Sequence, residues 1–226
     1  TMLDPADCGP AFIGLPQDVQ GWTYEYPVSF FDEKIHRIRR QSPDIEEIND
    51  AVELLKGAKR PMIIAGGGIQ YSGAVSELTD FANKFQFPVV ETIAGRANLL
   101  DTHDLNIGPL GVTGSNSANN IAEEADVILA IGTRLQDFTT GSWTAFSKDA
   151  KIICLNAARH DAAKHLSLPI VGDAKLGLNL LSYELDGYKT PSEWTENARK
   201  ERVVWNDYVE KNTNLKNGPS SYAQAI

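Results

Sequence analysis

The chain has 226 residues, 42% of them hydrophobic and 23% charged, which is an ordinary composition for a globular protein. Its 30 acidic residues outnumber its 21 Lys and Arg, and the net charge of −9 disfavours nucleic acid as a partner. No apolar run approaches the roughly 20 residues of a membrane-spanning helix, so no membrane contact is expected either. Cys8 and Cys154 lie far apart, which is typical of a reduced, cytoplasmic protein, and Cys154 is expected to be buried.

The first 42 residues predict little regular structure. Residues 11–16, AFIGLP, predict a short strand without a neighbouring partner, and residues 20–42 predict a linker. The start, TMLDPADCGP, lacks the basic and long apolar parts of a secretory signal. Both this start and the final SSYAQAI look like cut ends of a longer protein.

A first helix is predicted to begin at Ser42, which can cap it, with Pro43 in the first turn and acidic residues near the positive end. The helix is expected to end near Gly57. Its predicted buried face consists of four aliphatic residues: Ile45, Ile48, Val52 and Leu55.

From Pro61 onwards, short apolar runs alternate with amphipathic stretches. Strands are predicted at residues 61–65, 88–92, 126–132, 151–156 and 168–173, and helices at residues 72–85, 117–125 and 174–185. Buried strands that alternate with helices indicate a parallel sheet covered on both faces. We therefore expect an α/β fold with a doubly wound, mainly parallel, Rossmann-like sheet.

Helical spacing also predicts which side chains face the core. In the helix at residues 72–85 these are Val75, Leu78, Phe81, Ala82 and Phe85. The helix at residues 174–185 can be capped by Asp173, and its predicted core residues are Leu176, Leu180 and Tyr183. A last helix, at residues 191–212, has an apolar side formed by Trp194, Ala198, Trp205, Tyr208 and Val209.

Three glycines follow the first strand of the sheet, in PMIIAGGGIQ. Gly66 and Gly68 match two positions of a dinucleotide fingerprint, but the third glycine of that fingerprint falls on Tyr71. Glu91 ends the next strand, about where a ribose-binding acid would sit. The alternative is that residues 66–68 form only a tight strand-to-helix turn with positive φ.

A second glycine-rich stretch, GPLGVTGSNSANN at residues 108–120, predicts an amide-rich loop before a helix, which suits an anion or a cofactor. The alternative is a surface loop with Ser117 as the helix cap. After the next strand, Arg134 and Asp137 could recognise a ligand or pair with each other. If a nucleotide is bound, its expected contacts are Gly66, Gly67, Gly68, Gly111, Gly114, Gly132, Arg134 and Asp137.

The sequence predicts no catalytic residue and no metal ligand. It contains neither a Gly-x-Ser-x-Gly elbow nor a Walker-type phosphate loop. The four histidines lack the spacing of metal ligands and are expected on the surface: His36, His103, His160 and His165.

Several stretches, taken in order, resemble the centre of thiamine-diphosphate-dependent enzymes of the acetolactate synthase and pyruvate oxidase type. They include GPAFIGLPQDVQ, RPMIIAGGGI, FPVVETIAGRANL, IGPLGVTGSNSANNIAEEADVILAIGTRLQDFTTG and PIVGDAKLGLNLL. The resemblance covers almost the whole chain and implies five segments. They are the tail of a pyrimidine-binding domain (1–19), a linker (20–42), a central Rossmann-like domain (43–187), a helix and linker (188–218) and the start of a diphosphate-binding domain (219–226).

Within that family, ETIAGRANL and RLQDFTTGSWTAF look most like the ring-opening hydrolases of bacterial myo-inositol catabolism. The resemblance implies that the parent protein hydrolyses a cyclic trihydroxy 1,2-dione to 5-deoxy-glucuronic acid, with this chain as its structural central domain. Three alternatives stay open. They are the central domain of an acetolactate synthase or glyoxylate carboligase, a free-standing NAD- or FAD-binding module, and a pure interaction domain.

The resemblance further implies thiamine diphosphate and Mg²⁺ as cofactors of the full-length enzyme, with an activating glutamate upstream of Thr1. No Gly-Asp-Gly motif for Mg²⁺ occurs, since Gly172-Asp173 is followed by Ala174, so neither cofactor is expected on the fragment alone. FAD, which some relatives hold in this domain, is disfavoured because residues 156–159, NAAR, replace their paired acids. The implied partners are the two other domains of the same chain and further copies in a homo-oligomer.

Overall fold

A computed structural model describes residues 2–214 and 220–225, and the chain divides into two compact units, Thr1–Arg40 and Gln41–Ile226. Residue 1, residues 215–219 and residue 226 lie outside the described part. The predicted linker up to residue 218 and the predicted last segment from residue 219 are therefore only partly described.

The first unit contains two 3-10 turns, Val19–Gly21 and Val28–Phe31, within otherwise irregular chain. The strand predicted at residues 11–16 is wrong, because these residues join none of the described strands. A single apolar run without a neighbouring ladder gains too little to hold a strand. Four aromatic rings contact one another with centroids 4.9 to 6.2 Å apart: Tyr24, Tyr26, Phe30 and Phe31.

The second unit is built on six strands. They are β1 (Pro61–Ala65), β2 (Val89–Glu91), β3 (Asn106–Pro109), β4 (Val127–Ile131), β5 (Lys151–Asn156) and β6 (Leu168–Val171). Their order in the sheet is β3-β2-β1-β4-β5-β6, and every pair is parallel. The expected Rossmann-like α/β fold is confirmed. Strand β3 was not predicted, because NIGP is short and contains two residues that are rare in strands.

The described helices surround this sheet. They are α1 (Ile45–Lys56), α2 (Gly68–Ser72), α3 (Val75–Phe85), α4 (Asn116–Glu124), α5 (Asp137–Thr140), α6 (Arg159–Ala163), α7 (Ala174–Glu184), α8 (Ser192–Thr213) and α9 (Tyr222–Ala225). Helices α1, α3 and α7 share one apolar core with the sheet, and α4 and α8 share the other. No helix in the described ranges is both long enough and apolar enough to cross a membrane.

Two of the predicted helix caps are wrong and one is confirmed. Helix α1 is capped by Asp44, whose carboxylate accepts a hydrogen bond from the Glu46 amide, and not by Ser42. Helix α4 is capped by Ser115, because the hydroxyl of Ser117 instead donates to the carbonyl of Ile107 at 2.7 Å. Asp173 caps α7 as predicted.

The predicted core faces need correction at their edges. Val75 is 39% exposed and Ile45 is 49% exposed, and each is the first residue of its helix. In α7 the buried face consists of Ala174, Gly177, Leu178 and Leu181, and Tyr183 is exposed. The inward-facing position 177 needs glycine, because a Cβ there would lie 2.6 Å from the Leu155 side chain.

Helix α8 is fixed to the sheet by its first turns. Trp194 is buried, and its indole Nε1 donates to the Pro61 carbonyl at the start of β1, at 2.8 Å. Ala198, one turn later, is also buried. Arg199 pairs with Asp104 at 2.7 Å in the segment that leads into β3. The apolar side predicted for this helix is therefore confirmed in its first half.

We expect Trp194→Phe to lower the free energy of unfolding by about 1–3 kcal/mol, because it removes a buried hydrogen bond and leaves unfilled volume. Trp205→Phe, in the same helix but only partly buried, serves as the matched control and should change it by less than about 1 kcal/mol. Urea unfolding followed by circular dichroism measures both. Equal losses in the two variants would contradict the packing described for Trp194.

Candidate functional site

The candidate ligand residues lie in loops that follow β1, β3 and β4. Because all six strands are parallel, these loops meet at the carboxyl edge of the sheet. Strands β1 and β4 are neighbours at the point where the strand order reverses, and ligands of open α/β sheets bind beside such a switch point. The structure thus brings the sequence-predicted loops to one edge.

At the switch point, the two glycine turns touch each other through their backbones. The Gly66 amide donates to the Ile131 carbonyl and the Gly68 amide donates to the Gly132 carbonyl, each at 2.9 Å. A Cβ on Gly66 would lie 2.3 Å from the Gly132 oxygen, and a Cβ on Gly68 would lie 2.6 Å from the Gly132 Cα. These glycines permit a close joint between β1 and β4.

The positive φ predicted for residues 66–68 is wrong. Among the described glycines of this joint, only Gly132 has a left-handed φ, of 59°. Gly67 has a φ of −64° and is the N-cap of α2, which has only five residues and is followed by Gly73 as its C-cap. The dinucleotide fingerprint requires a first helix that is long and packs closely on its strand, and α2 is too short to supply it.

The second glycine loop is joined to the loop after β4. The Val112 amide donates to the Phe138 carbonyl at 2.8 Å, and a Cβ on Gly111 would lie 2.1 Å from that same oxygen. Within the loop, the Gly114 amide donates to Gly111 at 2.8 Å, and the Asn119 side chain both accepts from and donates to Gly111 at 3.0 Å. Because β1 and β2 separate β3 from β4, the loop after β4 crosses the ends of these two strands.

Arg134 and Asp137 are exposed at this edge. None of the ion pairs formed within the described residues joins them, so the predicted alternative of a mutual surface pair is wrong. Leu135 lies between them with a φ of 48° and is buried, and this backbone turn directs its neighbours outward. Both charged groups therefore face solvent beside the two glycine turns.

Glu91 does not serve as an open ribose-binding acid. Its side chain is 4% exposed, and Oε1 accepts a hydrogen bond from the Leu99 amide at 2.9 Å. Burial raises the pKa of this carboxyl, although the hydrogen bonds that it accepts oppose the shift. Glu91 instead holds the following loop, TIAGRANL, against the sheet.

Asn98, in that loop, is the site residue that sequence reasoning missed. It is 1% exposed, and its Nδ2 donates to the Gly66 carbonyl at 2.9 Å. Its Oδ1 is buried and has no hydrogen-bond partner among the described residues. A buried amide oxygen of this kind accepts a hydrogen bond from a water or from a ligand. No sequence signal distinguishes Asn98 from the other polar residues of this loop, Thr92 and Arg96.

The polar side chains that follow β5 and β6 form hydrogen bonds within the protein. After β5, the Asn156 side chain donates to the Thr133 carbonyl at 2.9 Å and accepts from the Ala158 amide at 3.0 Å. After β6, the buried Asp173 carboxylate accepts from the Ser72 hydroxyl and from the first amides of α7. Residues 2–214 and 220–225 contain no group of three or more His, Cys, Asp or Glu side chains that could hold a metal.

Cys154 is buried in β5, as the sequence predicts. Burial, with the nearby Asp161 carboxylate, raises the pKa of its thiol to about 12. A thiol that stays protonated at neutral pH is a poor nucleophile, so Cys154 acts as a small core residue.

We expect Gly66→Ala to lower the free energy of unfolding by more than about 3 kcal/mol, because a methyl group would collide with backbone that cannot move freely. Gly57→Ala is the matched control, since Gly57 also has a negative φ but a Cβ there would lie 3.6 Å from its closest neighbour. That variant should stay within about 0.5 kcal/mol of the parent chain. Urea unfolding measures the stability of both variants. A Gly66→Ala variant as stable as the parent chain would contradict the close backbone contact between the β1 and β4 turns.

Glu91 should make stability fall as pH rises. Its folded pKa lies above the ordinary 4.5, so the stabilising protonated form is complete below 4.5 and is lost as pH rises through the folded value. Relative to the parent chain, Glu91→Gln should therefore gain stability as pH rises above 4.5. Unfolding free energies measured across this range give the difference.

Glu77→Gln is the control of opposite sign. The hydrogen bond from Lys175 lowers the pKa of Glu77, so the parent chain should gain stability over this variant as pH rises towards 4.5. Parallel pH profiles for the two variants would contradict the environment described for Glu91.

Comparison with known proteins identifies the central part of the chain. Residues 48–181 match the family model described as "Thiamine pyrophosphate enzyme, central domain". This range includes all six strands and the eight sequence-predicted ligand residues. The match confirms the resemblance that the order of motifs indicated.

Three of the similar curated proteins share one name, 3D-(3,5/4)-trihydroxycyclohexane-1,2-dione hydrolase. The protein of Geobacillus thermodenitrificans is 40% identical over 210 residues, covering 93% of this chain and 32% of the relative. That of Clostridium tetani is 40% identical over 215 residues, with 95% and 33% covered, and that of Bacillus thuringiensis is 38% identical over 216 residues, with 95% and 34% covered. The chain thus spans about a third of the length of these relatives.

Proposed function

The chain belongs to the family of thiamine pyrophosphate enzyme central domains, and on this premise we propose that it is the structural central part of a larger hydrolase. In this proposal the parent enzyme opens the ring of 3D-trihydroxycyclohexane-1,2-dione by hydrolysis to 5-deoxy-glucuronic acid in myo-inositol catabolism. The observation that carries the proposal is the match to hydrolases of that single name along more than nine-tenths of the chain.

The geometry supports a scaffolding role for this part of the enzyme. The Gly66 and Gly68 amides donate to Ile131 and Gly132, and the Val112 amide donates to Phe138, so the glycine turns join strands. The carboxyl edge is closely packed around these joints. A rigid central domain of this kind can hold the reactive parts of a larger enzyme at fixed positions.

Thiamine diphosphate and Mg²⁺ do not fit the described residues. Asp173 stands in the stretch closest to a Gly-Asp-Gly motif, but its buried carboxylate caps α7 and accepts from Ser72. A carboxylate held in this way cannot turn to ligate Mg²⁺. In the proposed enzyme, both cofactors are therefore held by polypeptide outside this chain, and no catalytic step is assigned to its residues.

The proposal also covers the cellular location, the assembly and the cofactors of the full-length enzyme. We place the full-length protein in the cytoplasm as a homo-oligomer, a dimer or tetramer, with Mg²⁺ beside its thiamine diphosphate. The main alternative within the family is an acetolactate synthase or a glyoxylate carboligase. Product analysis with the cyclic dione, pyruvate and glyoxylate as substrates distinguishes these activities.

A nucleotide at the switch point is the second candidate function. The observation that favours it is the unpartnered Asn98 Oδ1, buried beside Gly66. Its contacts would be the eight residues predicted from the sequence: Gly66, Gly67, Gly68, Gly111, Gly114, Gly132, Arg134 and Asp137. A nucleotide or flavin released on denaturing the purified full-length protein would support it.

We expect the isolated 226-residue chain to bind neither thiamine diphosphate with Mg²⁺ nor the dione tightly, because the described residues offer no ligand set for them. Calorimetric titration measures this, with the full-length protein as the positive control. Micromolar binding of thiamine diphosphate to the isolated chain would overturn the assignment of the cofactor to other parts of the enzyme.

A further inference from the structure

Two separate turns of the second unit hold residues other than glycine in the left-handed backbone region. Ser142 and Trp143, after α5, have φ values of 53° and 67°. His165 and Leu166, shortly before β6, have φ values of 61° and 58°. Such values are uncommon for these residue types, and a folded protein keeps them only where other contacts hold the backbone in place.

The two turns meet through a ring stack. The centroids of the Trp143 indole and the His165 imidazole lie 3.8 Å apart, with 37° between the ring planes. No other described hydrogen bond, ion pair or ring contact joins residues 137–146 to residues 158–167. Trp143 is half-buried, whereas His165 is exposed. The stack is therefore the contact that joins the two turns.

The backbone strain of these turns opposes the stack. A left-handed residue other than glycine costs free energy of the same order as one favourable aromatic contact supplies. The Leu166 side chain is fully exposed, so it buries no apolar surface that would offset the cost. The stacked arrangement thus has little excess stability over one in which the stack is broken, which is the condition for a two-state element.

Residues 137–145, which we call the edge arm, move as one piece because they bond to one another. The Ser142 amide donates to the Asp137 carbonyl at 3.1 Å. The Trp143 amide donates to the Thr140 hydroxyl at 3.2 Å. Neither bond needs the ring stack. A displacement of Trp143 therefore displaces α5 as well.

The edge arm is also tied to the β3 side of the sheet. The Phe138 carbonyl accepts a hydrogen bond from the Val112 amide at 2.8 Å. Leu135 and Phe146, which flank the arm in the sequence, are both buried. The arm thus lies between two buried ends, with the Phe138 bond on one side and the Trp143 stack on the other.

We propose that the stack of Trp143 on His165 is a latch for the edge arm. The closed latch holds the arm against Val112 and keeps Asp137 beside the glycine turns. When the stack breaks, both strained turns relax, and the arm leaves Val112 while its buried ends act as hinges. The turn before β6, an outer strand, thus controls a loop that crosses the centre of the sheet. The latch does not depend on which reaction the parent enzyme catalyses.

Hydrogen exchange of the Val112 amide tests the latch, because this amide lies in a different loop from both rings. In the full-length protein we expect His165→Ala to speed this exchange at least about fivefold, since exchange follows the population of the open arrangement. His165→Phe keeps a flat ring against Trp143 and should preserve slow exchange. His160→Ala is the matched control, since His160 is exposed and forms no described ring contact, and should change the rate less than about twofold.

Leu166→Gly tests whether strain opposes closure. Glycine accepts a positive φ without cost, and it loses no packing here because the Leu166 side chain is fully exposed. The closed latch should therefore gain stability, and exchange of the Val112 amide should slow by about threefold or more. Exchange that is unchanged or faster in this variant contradicts the proposal.

The Ile63 amide, which donates to the Pro88 carbonyl at 2.9 Å, reports on the sheet itself. Faster exchange at Val112 in His165→Ala with an unchanged rate at Ile63 supports the latch. Unchanged exchange at Val112 overturns it. Equal acceleration at Val112 and Ile63 also overturns it, because His165 would then stabilise the whole domain and not the edge arm.

Discussion

The close contact between Gly66 and Gly132 determines how the rest of this domain is arranged. Strands β1 and β4 lie side by side at the centre of the sheet, and the chain leaves them in opposite directions. Because their turns touch backbone to backbone, the loops that follow must pass around this joint. The TIAGRANL loop, held by Glu91 and Asn98, packs beside the same joint. The loops at the carboxyl edge of the sheet are therefore joined to one another by hydrogen bonds and close packing.

This arrangement explains why a domain with the fold of a dinucleotide-binding protein offers few polar groups that are free to act on a ligand. Glu91, which the sequence places where a ribose-binding acid would sit, is engaged within the protein with Leu99, and the Asn156 side chain at the end of β5 is engaged with Thr133. Burial is the main cause that raises the pKa of both Cys154 and Glu91, and neither shift marks a reactive group. The fold is shared with nucleotide-binding proteins, whereas function depends on the groups left free at the edge.

The sequence predicted the parallel sheet because five strands are continuous apolar runs between clear helices. It missed β3, where Gly108 and Pro109 weaken the strand signal, and it placed two caps wrongly because neighbouring Ser and Asp residues compete for the same amides. The role of Glu91 could not be predicted, since an acid at a strand end looks the same whether it faces solvent or Leu99. The Gly66 contact likewise depends on Gly132, which is distant in sequence.

The loop after β4, which crosses the ends of β1 and β2 to reach Gly111, has a consequence for cooperativity. In an open sheet, the outer strands on either side of the switch point share few contacts, and each half could open alone. Here the bond between the Val112 amide and the Phe138 carbonyl ties the β3 side to the β4 side. Local opening of one half must break this contact with the other, so the contact couples the opening of the two halves.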